Sequence, residues 1–178
     1  LNNFKKHIKK IEYHLIEKFP KNLSNWGREN FQRNFIMNST NNLNDDDYVM
    51  ISDLDEIPNL KNLKNVEKFK YTAFNQLNFS YKINLKNITL PNWYGTKLCK
   101  KKYLKSPQWL RNQKVKKYSF LKFFKIRWNI VENGGWHFSY IMTPEEISKK
   151  IKSFGHAEYN LNKFTNTKII EQKIKNKI

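Results

Sequence analysis

Hydrophobic and polar positions along this chain change period from segment to segment, and the changes predict a mixture of helices and strands. Residues 1–20 are basic and apolar by turns, with a short strand or helix expected around residues 8–16 before Phe19-Pro20. Over residues 25–37, Trp26, Phe31, Phe35 and Ile36 can share one broad apolar face, and Glu29 and Arg33 stand at i, i+4. That spacing predicts a helix. The polar stretch 38–47 reads as a loop. Tyr48-Val49-Met50-Ile51-Ser52 is a short β-favouring apolar run of the kind buried in a sheet. It gives way at once to Asp53-Leu54-Asp55-Glu56-Ile57-Pro58, where the proline is expected to stop the strand and force a turn.

A second helix is expected over residues 61–70, and the alternation of aromatic and polar residues over 71–90 suggests strands that Pro91 ends. Trp93-Tyr94-Gly95-Thr96 reads as a loop or a further strand, and the aromatic, basic stretch 118–128 has no clear period. Glu132-Asn133-Gly134-Gly135 is a turn signal ahead of a strand-like run, Trp136-His137-Phe138-Ser139-Tyr140. Thr143 suits an N-cap, with Pro144 at the first helical position and Glu145 and Glu146 in the first turn of a helix running to about Phe154. Strands alternating with helices, without an internal repeat, predict an α/β fold: a single domain over 1–165 and a basic, peripheral tail over 166–178.

Composition supports a folded domain: 39% of the 178 residues are hydrophobic and 15% aromatic, where disordered chains are poor in aromatics. The formal charge of +19 attracts polyanions without choosing among nucleic acid, anionic membrane and phosphorylated ligands. Lys and Asn are spread along the whole chain, so the charge carries little weight for a nucleic-acid partner, and none is expected. Cys99 is alone, which excludes an intrachain disulfide. No apolar run approaches the roughly 18 residues of a membrane-spanning helix. The chain opens on Leu rather than Met, so a leading segment is expected to be missing. Nothing in the sequence sets a compartment.

The chemistry concentrates in Asp53-Leu54-Asp55-Glu56, directly after a buried-type strand. Ligands of open α/β sheets bind beyond the carboxyl ends of strands. Acids clustered there repel one another, and a hard divalent cation, Mg²⁺ or Mn²⁺, relieves the repulsion and completes its shell with substrate phosphates and water. Asp53 and Asp55, one residue apart, can point the same way from an extended segment. The plainer alternative is a solvated acidic turn. His137 follows two glycines that allow close backbone approach to a ligand. It is either a ligand for such an ion or a buried structural histidine.

Several blocks together resemble glycosyltransferase family 17, whose animal member adds the bisecting β-1,4-linked N-acetylglucosamine to N-glycan cores. They are Trp26-Gly27-Arg28-Glu29 with Arg33, the run from Asp45 to Pro58, Gly134-Gly135-Trp136-His137-Phe138-Ser139-Tyr140, and Ser153-Phe154-Gly155-His156-Ala157-Glu158. The resemblance covers residues 4–158, and the acidic and Gly-Gly-Trp-His blocks are specific as a pair. It implies a metal-dependent, inverting transferase of GT-A-like α/β fold that uses UDP-N-acetylglucosamine as donor and a glycan as acceptor. Asp53 and Asp55 would then hold the metal, Mn²⁺ or Mg²⁺, with His137 as a further ligand. Asp53 also belongs to the donor site, where Arg28, Arg33 or Arg111 would bond the diphosphate. Family members carry a segment ahead of the part matched here, so the chain is expected to lack the N-terminal strand/helix unit and part of the pocket for base and ribose.

Inversion needs a base for the acceptor hydroxyl. The resemblance ranks Glu145 first, since an acid follows the matching Thr-Pro pair in the animal member, and Glu146 and Glu158 come next, with Glu132 behind them. An acid in a first helical turn equally serves the helix dipole. Trp93, Trp109 and Trp136 could stack on sugars or fill the core. Three other readings compete: a basic nucleic-acid-binding module, which leaves the clustered acids unexplained; a different metal-dependent transferase such as a nucleotidyltransferase, which leaves the Gly-Gly-Trp-His block unexplained; and a non-catalytic glycan-binding relative.

Overall fold

The computed structural model describes residues 2–115, 126–153 and 161–176. Alternation sets the first strand, β1 (Tyr48–Ile51), in which Val49 and Ile51 are buried. It pairs antiparallel with β6 (Lys97–Lys100), Ile51 opposite Lys97. Next come β3 (Tyr71–Phe74) and β7 (Trp128–Val131), which run parallel to each other. Ala73 joins a core of Val49, Ile51, Cys99, Leu104, Leu110 and Trp128. Its neighbour Phe74 packs with Leu98 and Val131 instead. Successive side chains of a strand point to opposite faces, so this sheet is buried on both.

The second sheet orders β2 (Glu56–Pro58), β8 (Gly135–Ser139), β4 (Gln76–Ser80) and β5 (Asn92–Trp93). The architecture is α/β with two mixed four-stranded sheets, as the alternation predicts. Each strand of one sheet continues within a few residues into a strand of the other. The β3–β4 segment keeps the same two neighbours throughout, but the β1–β2 segment does not: β1 lies beside β6, and β2 lies beside β8. Residues 52–55 therefore cross from one side of β3–β4 to the other.

Glycines make the crossing sterically possible. A Cβ on Gly95 would lie 1.8 Å from Glu56 Oε1 and 2.2 Å from Trp93 Nε1. Gly135 holds φ at 122°, where its Cβ would sit 2.1 Å from the Ile57 carbonyl oxygen. Gly95→Ala is expected to cost about 1–3 kcal/mol, as overpacking does in a rigid site. A chemical-denaturation midpoint equal to wild type would show that Glu56 can move aside.

Helices pack around the sheets: α1 (Asn25–Phe35), α2 (Pro107–Asn112), α3 (Pro144–Ser153), α4 (Asn162–Thr165) and α5 (Thr167–Asn176). Ser24 caps α1 by accepting from Gly27 N, and the predicted helix tightens into a 3-10 turn from Ile36 to Thr40. Its apolar face is only half covered, since α1 has no buried residue.

Four expectations change. The helix expected over 61–70 is two 3-10 turns, Leu60–Asn62 and Val66–Lys68, because Asn65 takes the left-handed region at φ 57°. The strand run over 71–90 ends at Ser80, where Tyr81 turns left-handed at φ 70°. Residues near the N-terminus form a 3-10 helix, Asn2–Lys10, followed by an irregular stretch over 11–20. The basic segment expected to be peripheral forms α5, whose Ile170 is 4% exposed, and α5 packs on α3. Pro58 does close its strand, on the edge of the sheet where a missing N–H costs no ladder bond. Residues 118–125 and Phe154 lie outside the described residues.

Candidate active site

The crossing segment is a tight turn in which Glu56 N donates to the Asp53 carbonyl at 3.1 Å. This turn breaks the extended alternation, so Asp53 and Asp55 do not point the same way. Leu54, at its tip, is fully exposed. Asp53 and Glu56 turn towards α2, whereas Asp55 faces β8.

Glu56 is the inward acid. Its side chain is fully buried, and Arg111 Nη2 reaches its Oε1 at 2.7 Å. Oε2 accepts from Arg111 Nη1 at 3.0 Å and from the Thr96 hydroxyl at 3.1 Å, and Trp93 Nε1 donates to Oε1 at 2.6 Å. Burial pushes this carboxyl up, but the Arg111 charge and hydrogen bonds, with those from Trp93 and Asp53 N, outweigh it and hold the pKa below its ordinary value. Arg111 is placed by α2, whose Ser106 accepts from Trp109 N and whose Pro107 stands at the helix start. Lys97, 3% exposed, donates to the Arg111 and Gln113 carbonyls at 2.5 and 2.7 Å and so fixes the end of α2. Burial and the neighbouring Arg111 push its pKa down to about 8, against the pull of Glu56.

Asp53 lies between two guanidiniums. Arg111 Nη2 donates to Oδ2 at 2.5 Å, and Arg33 Nη2 stands 3.4 Å from Oδ1. Arg33 also pairs with Glu29 at 3.2 Å and donates to Gln108.

Asp55 faces His137, with Oδ1 3.7 Å from Nε2. The strands fix this approach, because Phe138 N donates to the Asp55 carbonyl and Glu56 pairs with His137 in the β2–β8 register. His137 is 8% exposed and stacks on Trp93 at 4.5 Å and 12°. Asn78 Nδ2 donates to the Leu90 carbonyl, so its Oδ1 is the acceptor that meets His137 Nδ1 at 2.9 Å. In the neutral imidazole the proton then sits on Nδ1, and Nε2 turns a lone pair towards Asp55. Burial pushes the His137 pKa below its ordinary value, against the Asp55 and Glu56 carboxylates that raise it.

A cleft of about 660 Å³ joins these groups, lined by Glu29, Arg33, Asp53, Asp55, Arg111 and His137 among others. A neighbouring cleft of about 780 Å³ shares Asp53 and Asp55 and adds Arg28 and Ser153. A third, of about 690 Å³, meets the turn from the side of residues 12–19. The structure thus gathers Arg28, Arg33, Arg111, Asp53, Asp55 and His137 around one turn. It does not assemble Asp53, Asp55 and His137 into a ready metal cage. Among the described residues no group of three or more His, Cys, Asp or Glu side chains is placed to hold an ion.

Among the described residues, the expected bases stand apart. Glu145 is exposed on α3 and lines none of these three clefts. Glu146 closes a capping box: Thr143 N donates to its carboxylate at 2.9 Å, and Glu146 N donates to the Thr143 hydroxyl. Those bonds pull its pKa down. Glu132 accepts from Asn75 on an exposed turn, and Glu158 lies outside the described residues.

Comparison with known families supplies the deciding observation: the family model of glycosyltransferase family 17 matches residues 1–177. The chain belongs to glycosyltransferase family 17. It is therefore a glycosyltransferase, an enzyme working between a sugar donor and a glycan acceptor. No curated protein and no solved structure matches it. Among the described residues no helix is long and apolar enough to cross a membrane.

Around the turn of this family member, two further residues matter that sequence reasoning passed over. Lys150 lines the 780 Å³ and 660 Å³ clefts and sits over the Tyr140 ring at 5.3 Å; it stands at i+3 from the buried Ile147 on a helix whose cap was legible. Asn78 sets the His137 tautomer, and only the β4–β8 register reveals it. Glu56 is the structural member of the acidic cluster. Of the tryptophans, Trp93 reaches the site, Trp109 packs on Tyr71 at 5.7 Å beside the core, and Trp136 is 41% exposed on β8.

Proposed function

We propose that the chain transfers a sugar from a nucleotide-diphosphate donor, UDP-N-acetylglucosamine in the first instance, to a glycan hydroxyl with inversion, in a GT-A-like domain. The observation that carries this reading is the opposition of Asp55 Oδ1 and His137 Nε2, 3.7 Å apart, beside the guanidiniums of Arg33 and Arg111. Two lone pairs so placed repel unless a proton or a cation stands between them. Asn78 fixes the other ring nitrogen as the N–H, and burial disfavours a second proton on Nε2. A carboxylate oxygen and an imidazole nitrogen suit Mn²⁺ or Mg²⁺, so Asp55 and His137 would hold the ion and the donor would complete its shell. Bound there, the ion offsets negative charge that develops on the leaving diphosphate.

The remaining work falls to side chains of the cleft. Asp53 holds Arg33 and Arg111 at the turn, where their other N–H groups, with Arg28 and Lys150, bond the diphosphate. Among the described residues, Glu29, Asp53 and Asp55 are the carboxylates that line the 660 Å³ cleft. Asp53 meets two arginines, one at each oxygen, and Asp55 faces His137, whereas Glu29 meets Arg33 through Oε1 alone, so Glu29 is the acid placed to receive the acceptor proton.

The test is calorimetric titration of UDP into wild type and Asp55→Asn, with and without Mn²⁺, alongside Mn²⁺ alone followed by its paramagnetic resonance signal. Asparagine keeps the size of the side chain and the backbone bond to Phe138, so the fold should stand. Mn²⁺ is expected to tighten UDP binding on wild type, and the variant to lose both that effect and Mn²⁺ itself. Equal UDP affinity with and without Mn²⁺ would remove the metal from the reading. A folded chain that binds no UDP would remove the nucleotide donor.

A further inference from the structure

The cleft that carries Asp55 and His137 opens sideways into a smaller one of about 330 Å³, walled by β4, β8 and the loop that follows β4. Leu90, Trp93, His137, Ser139 and Tyr140 line both. A ligand in the smaller cleft therefore reaches the edge of the larger. Its volume falls at the low end of the range for small-ligand pockets, about 300–1,000 Å³.

The two clefts differ in chemistry. The larger is ringed by Arg33, Arg111 and Lys150, with acids between them. The smaller presents amides and hydroxyls, Ser80, Asn87, Thr89 and Ser139 among them, beside the rings of Tyr81 and Tyr140. Lys86, exposed at its rim, is the one formally charged residue among its described lining when His137 is neutral. A phosphate finds no cation in its described interior. A neutral polyol does, with hydroxyls for the polar groups and a C–H face for the rings.

The backbone points to the same two tyrosines. The parallel pair β4–β8 ends at Ser80 opposite Ser139, and each chain leaves it through a tyrosine in the left-handed region, φ 70° at Tyr81 and 57° at Tyr140. Tyr81 N donates to the Ser139 carbonyl at 3.0 Å, and the two rings stack at 6.3 Å and 24°. Glycine or asparagine would hold either turn with less strain. Such strain persists where a side chain is needed, and it gathers at ligand clamps. What these positions supply is the pair of rings.

We propose that this side cleft binds the acceptor, a neutral hexose or N-acetylhexosamine residue of a glycan, with Tyr81 and Tyr140 as its aromatic wall. The assignment rests on the donor reading above, since it gives the charged cleft to the nucleotide diphosphate and the neutral one to the acceptor. His137 and Ser139, shared by both, mark the junction at which donor and acceptor would meet.

Saturation-transfer NMR on the full chain tests it, with the methyl glycosides of mannose, N-acetylglucosamine and galactose as probes. Wild type, Tyr81→Gly and Tyr81→Asn are compared, and UDP with Mn²⁺ is titrated into each. Glycine and asparagine both accept the left-handed region, and the strain they relieve offsets part of the lost ring contact, so both variants should stay folded, and two variants keep a packing defect in one from deciding the result. At least one glycoside is expected to bind wild type and to weaken about tenfold in both variants, as a stacking face is lost. UDP affinity should not change. Glycoside binding that survives both substitutions, or its absence from a chain that binds UDP, overturns the acceptor site and leaves the donor reading standing. Glycoside binding lost in both variants, in a chain that never binds UDP, keeps the sugar site and overturns the donor reading. A chain that binds neither overturns both.

Discussion

Glu56→Ala is expected to destabilise the fold by about 3–5 kcal/mol, the range for removing one partner of a buried ion pair. The side chain is fully buried, and its loss leaves Arg111, 10% exposed, with a half-exposed Asp53 as its remaining carboxylate. The Trp93 indole N–H and the Thr96 hydroxyl lose their acceptor in the same step, and a void opens against Gly95. Domains of this kind are stable by only about 5–15 kcal/mol, so the variant should retain a small part of that. Glu56→Gln keeps the shape but faces an amide towards a guanidinium, and it should fall between the two. The acid dependence has a definite sign. The Glu56 pKa in the folded protein lies below the ordinary 4.5, so its stabilisation is complete above that value and is lost as the pH falls through the folded pKa. Urea titrations at pH 7 and at successive pH values below 4.5 should show this decline in wild type and a flatter one in Glu56→Gln. Wild-type stability of Glu56→Ala at pH 7 would mean that the crossing is held by something other than this pair.

Much of the fold was legible because local chemistry and tertiary structure agree. The apolar run 48–51 became a buried strand, and Thr143-Pro144 with Glu146 formed the cap its spacing implies. Elsewhere a local rule was read and then overridden. Asp53 and Asp55 share a side only while the chain stays extended, and the change of sheet between β1 and β2 puts a turn there. No periodicity announces such a change, because it depends on which strands β1 and β2 meet far along the chain. Glu56 was visible as one of three clustered acids, but its inward direction depends on Arg111, 55 residues away. Helix α2 shows the opposite failure: Ser106-Pro107 is a helix start written locally, which the reading passed over. The tyrosines at 81 and 140 could not have been found by pattern, since a left-handed tyrosine breaks the preference from which such patterns are drawn. The site was thus legible in its residue types and loop positions, and its pairing was not.

Glu29→Gln is expected to lower the transfer rate by about 10²–10⁴-fold, the usual worth of a positioned general base, while UDP binding in the presence of Mn²⁺ stays at wild-type strength. Glu29 lines all three clefts that meet at the acidic turn, which no other glutamate of the described residues does. Glutamine keeps the hydrogen bond that Arg33 donates at 3.2 Å, so Arg33 and the Asp53 contact beyond it should hold their places. What the substitution removes is the capacity to take a proton. Glu145→Gln is expected to transfer at wild-type rates, since that carboxylate stands in solvent. Glu146→Gln should change α3 more than catalysis, because Thr143 N donates to its side chain. Glu158→Gln completes the series. A rate loss confined to Glu145, with Glu29→Gln unimpaired, would place the base on α3; one confined to Glu158 would place it in a segment outside the described residues, and either would restrict Glu29 to holding Arg33. The kinetic constants separate these roles. Loss of a base lowers kcat and leaves the donor KM unchanged, whereas loss of a residue that only positions Arg33 raises the donor KM.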